Sequence, residues 1–228
     1  MARTILIGAA VLAMAAGVAW ASGGGSAPVG GGSAVPTSPR LTPEQMAAMQ
    51  YNDGLKQQEK ADRLSAEAGT AADPKKRSKM EADATKAYEK ARGKFENAVK
   101  KDTDMFQAHG ALGYVRRRLG DFEGSLAAYA QALAIKPGYT PAIEYRGEAY
   151  LGLGRLDDAK AAYMELFNAD RKRADELSGA MTRWVEAKRQ DPAGVDPKTL
   201  EEFSTWLSQR LEIARQTTAL LPPADPRW

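Results

Sequence analysis

Cysteine is absent from the 228-residue chain, which excludes disulfides, thiolate zinc sites and lipid attachment through a cysteine. Histidine occurs once, at His109, so no Cys–His or Ser–His–Asp set can be assembled beyond that single ring. A large charge of either sign is missing too. The formal net charge is +3, and one of those charges, Arg3, lies in a leader-like segment, which leaves about +2. Nucleic-acid binding, which shows as a strong basic excess, is not expected. No phosphate-binding loop is present: the glycine runs at 23–25 and 30–32 lack a following Lys-Ser/Thr. Carboxylate pairs such as Asp157-Asp158 and Glu201-Glu202 are adjacent in sequence and do not face each other on a helix. No catalytic constellation, cofactor or metal is therefore expected. Alternating strand patterns are missing, and β-branched residues are scarce.

Long apolar runs are also lacking, with one exception at the N-terminus. Arg3 supplies a positive start, Ile5 to Val18 is apolar, and Ala19-Trp20-Ala21 has the small-x-small form of a cleavage site. Residues 1–21 are read as a signal peptide cut between Ala21 and Ser22. The alternative is an uncleaved anchor, for which the stretch falls short of the ~20 residues of a spanning helix. The mature chain is expected to have no membrane span and to lie outside the cytoplasm, in a bacterial periplasm. Residues 22–41, rich in Gly, Ser and Pro, read as a flexible linker.

What is present is helix after helix. Thr42-Pro43-Glu44-Gln45 has the order of a helix start, with a hydroxyl cap, proline at the first position and acid and amide in the first turn. Helices are expected at about 43–68, 74–101, 105–119, 122–135, 140–153, 156–169, 172–189 and 197–219. The breaks fall at Gly69-Thr70, Asp102-Thr103, Gly120-Asp121, Pro137-Gly138, Gly154-Arg155 and Pro192-Ala193-Gly194, and Pro222-Pro223 ends the last helix.

An internal period sets the architecture. Leu119-Gly120-Asp121-Phe122 recurs as Leu153-Gly154-Arg155-Leu156, and the same interval separates Gly113 from Gly147 and Tyr129 from Tyr163. A helix–turn–helix unit repeating every ~34 residues is the period of the tetratricopeptide repeat, and over about 106–170 the chain resembles that family. Unit 106–139 places His109, Leu112, Gly113 and Arg116 in its first helix, then Ser125, Tyr129 and Pro137. Unit 140–173 places Ile143, Arg146, Gly147 and Tyr150, then Ala159 and Tyr163, with Arg171 where proline is expected. Small residues at Gly113, Gly147, Ser125 and Ala159 let paired helices approach, Tyr129 and Tyr163 fill the gap to the next hairpin, and Gly120 and Gly154 close the first helices. His109 then occupies a packing slot and reads as structural.

One period upstream of Ser125, Tyr129 and Ala132 stand Ala91, Phe95 and Ala98, a good second helix. Its first helix contains Tyr51-Asn52-Asp53-Gly54-Leu55. Gly54 and Ala91 lie about three times as far apart in sequence as Gly113 and Ser125, so this unit is much too long for the period. Residues 42–105 are therefore read as a degenerate repeat whose two helices run on into a long hairpin. After Arg171 the pattern fades, and 174–220 read as capping helices, followed by an extended tail at 221–228. The expected fold is all-α: antiparallel hairpins stacked as a short solenoid.

The resemblance implies a non-catalytic scaffold whose first helices line a concave groove for a partner peptide or helix. By that resemblance the groove shows Tyr51, Leu55, Gln58, Gln107, Tyr114, Arg117, Arg118, Glu144, Glu148 and Leu151. Arg117 and Arg118 receive a partner's carboxylate, pair with Glu144 and Glu148 on the neighbouring helix, or do both at once. The family's dicarboxylate clamp is not reproduced at Tyr51, Leu55, Gly110 and Tyr114. Lys75, Lys76, Arg77 and Lys79 form a second candidate at the hairpin tip, as an anion contact for lipid or cell-wall polymer or as a solvated charge run. A role as accessory subunit of an envelope enzyme stays open through that contact, as does self-association through the long hairpin.

Overall fold

The computed structural model describes residues 41 to 220 except 193, with side chains to 217. The leader and its cut at Ala21–Ser22, the linker as far as residue 40, Ala193 and the tail 221–228 lie outside the described residues. Within them the chain forms α1 (Pro43–Thr70), α2 (Pro74–Lys101), α3 (Phe106–Arg118), α4 (Phe122–Ile135), α5 (Thr140–Gly152), α6 (Leu156–Ala169), α7 (Arg171–Gln190) and α8 (Pro197–Leu220). Each expected helix is found, and the ends differ only slightly.

The helix ends are set by local chemistry. Thr42 and Gln45 form a reciprocal capping box: Gln45 N–H donates to Thr42 Oγ1 at 3.2 Å, and Thr42 N–H donates to Gln45 Oε1 at 2.9 Å. Asp73, Asp121 and Asp170 cap α2, α4 and α7 through their carboxylates. Gly120 and Gly154 take φ of +83° and +69° just past the ends of α3 and α5. There the Gly120 and Asp121 N–H groups donate back to the Arg117 and Arg116 carbonyls, and Gly154 and Arg155 repeat the arrangement.

The helices pair as α1–α2, α3–α4 and α5–α6, and each hairpin packs on the next. The core has two parts, one around Tyr88, Phe95, Leu112 and Tyr129 and one around Ile143, Tyr163, Leu177 and Phe203, joined by Leu133, which packs against both. The first hairpin is built as a repeat despite its length. A Cβ added at Gly54 would lie 2.5 Å from Phe95 Cε1, and one at Gly113 would lie 2.5 Å from Tyr129 Cε1. The same close approach of ring to backbone therefore holds both hairpins.

Two details differ from the sequence reading. Tyr129 covers Gly113 of its own hairpin, whereas Tyr163 faces onward and meets Trp206 of α8 edge-on at 5.6 Å. Gly147 is covered by Leu177 of α7, whose Cδ2 would be 2.6 Å from an added Cβ. The second concerns α7, the first of the two helices read as caps, which packs on both α5 and α6 in the place of the first helix of a fourth hairpin. The pattern fades there because fully buried Met181 stands one repeat period after Gly147, so a large side chain fills the small-residue slot. The end of the array is closed by α8, which turns Glu201, Glu202, Ser208, Gln209 and Glu212 outward.

Candidate partner-binding face

The first helices of the four hairpins, α1, α3, α5 and α7, lie side by side, and three ion pairs cross from each to the next. Arg118 faces Asp62 at 3.6 Å between α3 and α1, and Arg117 meets Glu148 at 2.5 Å between α3 and α5. Arg173 meets Glu144 between α7 and α5. Tyrosines fill the spaces. Tyr114 and Tyr145 pack edge to face with centroids 5.1 Å apart, and the Arg117 guanidinium lies 5.3 Å and 5.2 Å from those two rings. Asp62 also accepts from Tyr88 Oη at 2.5 Å and from Tyr114 Oη at 2.7 Å.

Burial tunes these groups. It pushes the Tyr114 phenol up to about 12, with the Asp62 charge adding to the effect. It pulls the Arg117 guanidinium down, but Glu148 and the neighbouring phenols more than offset this, and Arg117 ends above its ordinary value. Glu144 is pushed up to about 7 by burial, partly offset by its hydrogen bond with Arg173. The side chain of Glu144 is only 4% exposed, so charge there rests on a single guanidinium.

The residues singled out from sequence fall into distinct places. Of the two roles considered for the arginines, pairing is present for Arg117, and with Glu148 as expected; Arg118 pairs instead with Asp62, and Glu144 with Arg173. Tyr51 and Leu55 are half-buried against the first core part, and Gln107 is half-buried at the start of α3. Tyr114 is buried beneath the two arginines. Leu151 is a correction: at 4% exposure it belongs to the second core part and offers no surface to a partner. Gln58 is buried as well, and its Oε1 has no partner among the described residues.

Lys75, Lys76 and Lys79 are exposed at the start of α2. Arg77 acts locally, where its Nη2 and Nε donate to the Ala71 carbonyl at 2.8 Å and 3.3 Å and close the turn between α1 and α2. His109 Nε2 lies 2.9 Å from the Thr103 carbonyl oxygen, so the ring braces the turn before α3. Among the described residues no group of three or more His, Asp or Glu side chains could hold a metal ion, and no helix is long and apolar enough to cross a membrane.

Asp62, Tyr88 and Arg173 were not found from sequence. Asp62 lies in the extra length of the first hairpin, where the repeat register gives no guide, and Tyr88 lies one period before Phe122, a slot the sequence reading did not follow back. Arg173 lies in the first turn of α7, and the signal available was Asp170 three residues before it, which caps that helix and also faces Arg173 Nε at 3.5 Å.

Residues 116–183 match the family model for the tetratricopeptide repeat. The match runs from the last turn of α3 through α4, α5 and α6 and into α7, past the point where the periodic residues fade. No curated protein gives a significant match to the sequence.

Proposed function

We propose that this protein is a non-catalytic scaffold of the bacterial cell envelope, exported behind residues 1–21, which holds a protein partner on the face formed by α1, α3, α5 and α7. Tetratricopeptide repeats are in general protein-binding architecture, and the family is typically non-catalytic. The observation that carries the reading is the side-by-side set of four first helices with one ion pair across each junction. Such stitching fixes the curvature of a shallow array, so a partner meets a preformed surface and little ordering cost opposes binding. Because Arg117 and Glu144 are already paired, recognition on this face rests on shape, on the half-buried Tyr51, Leu55 and Gln107, and on whatever donors remain free.

Charge reversal at Arg117 would break an internal pair, so the test uses a photo-reactive side chain at Gln107, with Lys86 on the exposed side of α2 as control. Cross-linking of one protein species from Gln107 and not from Lys86 is the expected result. Equal cross-linking from both, or from neither, overturns the concave-face reading. Export is tested separately by sequencing the N-terminus of protein recovered from the periplasm. It is expected to begin at Ser22, and protein retained in the cytoplasm with Met1 or Ala2 at its start overturns the localisation.

A further inference from the structure

The extra length of the first hairpin makes a step. Aligned on Gly54 and Gly113, the end of α3 at Arg118 corresponds to Glu59 of α1. The remaining stretch of α1, Lys60 to Thr70, runs roughly 16 Å past it at about 1.5 Å per residue. On α2, Tyr88 corresponds to Phe122 at the start of α4, so the stretch from Pro74 to Ala87 overhangs too. In the corner between the overhang and the end of α3 lies a cavity of about 310 Å³, lined by Ser65, Gly69, Glu81, Thr85, Tyr88 and Arg118 among others.

Arg118 is the more accessible of the two groove arginines on α3, and it has donors to spare, whereas the unpartnered Nε of Arg117 is buried. The Arg118 guanidinium lies over the Tyr88 ring at 4.9 Å, and only Nη1 is engaged, by Tyr114 Oη at 3.3 Å and by Asp62 at 3.6 Å. Among the described residues nothing bonds its Nε and Nη2, the edge that takes a carboxylate with two parallel bonds. The side chain is 32% exposed, against 13% for Arg117. The Ser65 hydroxyl also has no partner among the described residues, and an added Cβ at Gly69 would meet nothing within 4 Å, so that wall is open. Asp62 already stands against Nη1, and Glu81 is a second carboxylate on the lining of the step. It lies two turns, roughly 10 Å, along α2 from Tyr88, and its carboxylate has no cation partner among the described residues.

We propose that this step binds a single carboxylate carried on a peptide, with Arg118 as its anchor and Glu81 repelling a second negative charge. The inference rests on the scaffold reading and gives the extra length of the first hairpin a purpose: it builds the wall opposite Arg118. The site takes one carboxylate and disfavours acidic runs and phosphates. The carboxylate is supplied either by a chain end or by an Asp or Glu side chain.

The test is a titration of the ¹⁵N-labelled full chain, following the Arg118 Nε–H signal, which is assigned by its loss in Arg118→Lys. The probes are acetyl-Ala-Ala-Ala with a free C-terminus, its amide, acetyl-Ala-Asp-Ala-amide, and the dianion acetyl-Ala-Asp with a free C-terminus. The free acid is expected to shift the signal and the amide to leave it unmoved. A shift with acetyl-Ala-Asp-Ala-amide assigns the side chain as a source, and its absence assigns the chain end. The dianion should bind at least about tenfold more weakly than the monoanion, and Glu81→Gln should remove that difference. Glu81 takes no part in the ion-pair series, so this variant leaves the fold intact. No shift with either monocarboxylate up to about 10 mM overturns the anchor. Equal binding of mono- and dianion overturns the role of Glu81. A Gln107 cross-link without an Arg118 shift overturns this site and leaves the scaffold standing, and a shift without a cross-link does the reverse.

Discussion

Replacing Gly54 by alanine tests whether the long first hairpin is held together as a repeat. The added Cβ would lie 2.5, 2.7 and 2.9 Å from Cε1, Cδ1 and Cζ of Phe95. Carbon atoms at rest lie about 3.5–4.0 Å apart, so the ring must withdraw by roughly 1 Å. Phe95 has no exposed surface and so no free direction in which to move. Overpacking of this kind costs about 1–3 kcal/mol. Against it stands the gain of about 1 kcal/mol from replacing a mid-helix glycine. Gly93 supplies the control, since it lies inside α2 and an added Cβ there meets nothing within 4 Å. Gly93→Ala should therefore stabilise the protein by up to about 1 kcal/mol, and Gly54→Ala should fall about 1–3 kcal/mol below it. Urea unfolding followed by helical circular dichroism measures both, with an unchanged slope showing that the unfolded states are comparable. If the two variants agree within about 0.5 kcal/mol, the ring does not pack on Gly54 as described, and the first hairpin is not a repeat.

The remaining predictions concern charge. Arg117→Gln and Glu148→Gln should each cost about 1–3 kcal/mol in urea unfolding and should be strongly non-additive, because each strands a partner that is largely buried; additive losses would refute the pair. Asp62→Leu leaves two phenols and a guanidinium without their acceptor and should cost about 1–3 kcal/mol; a loss below about 0.5 kcal/mol refutes its place at the α1–α2–α3 junction. Glu144 has a folded pKa raised by burial from 4.5 to about 7, so the folded protein binds that proton more tightly than the unfolded chain. Wild-type stability relative to Glu144→Gln should accordingly fall as pH rises from 4.5 to about 7 and level off above it, and a flat difference in melting temperature across that window refutes it. Lys76→Glu puts an acid in the first turn of α2, where no acid now stands, and should raise stability by about 0.3–1 kcal/mol in low salt; a loss would refute the description of that end as exposed.

The helices were legible because propensity, caps and period agree. Thr42, Asp121, Gly120 and Gly154 each fix an end by a bond or a backbone angle that depends on residue type alone. The repeat slots were legible from their spacing, but not which side chain fills each: Phe95 and Tyr129 cover Gly54 and Gly113, whereas Leu177 covers Gly147. The face was less legible. Leu151 stands in a groove slot by register, yet it is buried in the second core part, and register cannot tell a groove position from a core one in the last turn of α5. Asp62 and Arg173 pair across junctions between hairpins, and such pairs depend on how far each helix runs past its neighbour. The wide interval between Gly54 and Ala91 announced a longer hairpin, but not that it would bring Asp62 level with Arg118.

That alignment has a consequence for the overhang itself. Past the end of α3 the two long helices meet through Ala61, Ala68, Ala84 and Ala87, all nearly or fully buried. Alanine lets helices approach closely but buries little area at about 25 cal/mol per Å², so this stretch holds itself together only weakly. A polar tie to the rest of the array is Asp62, which takes the Tyr88 hydroxyl from its own hairpin and the Tyr114 hydroxyl from the next. Arg118 stands against the same carboxylate and over the same Tyr88 ring. A ligand that holds the free edge of Arg118 therefore acts on the group that also fixes the overhang. Order in the overhang and occupancy of the step are linked, and each must strengthen the other by the same factor. Amide hydrogen exchange at residues 62–84 should accordingly slow when the free-acid tripeptide binds, while exchange in α6 stays unchanged. Equal protection in both regions would mean that the step and the overhang are not coupled.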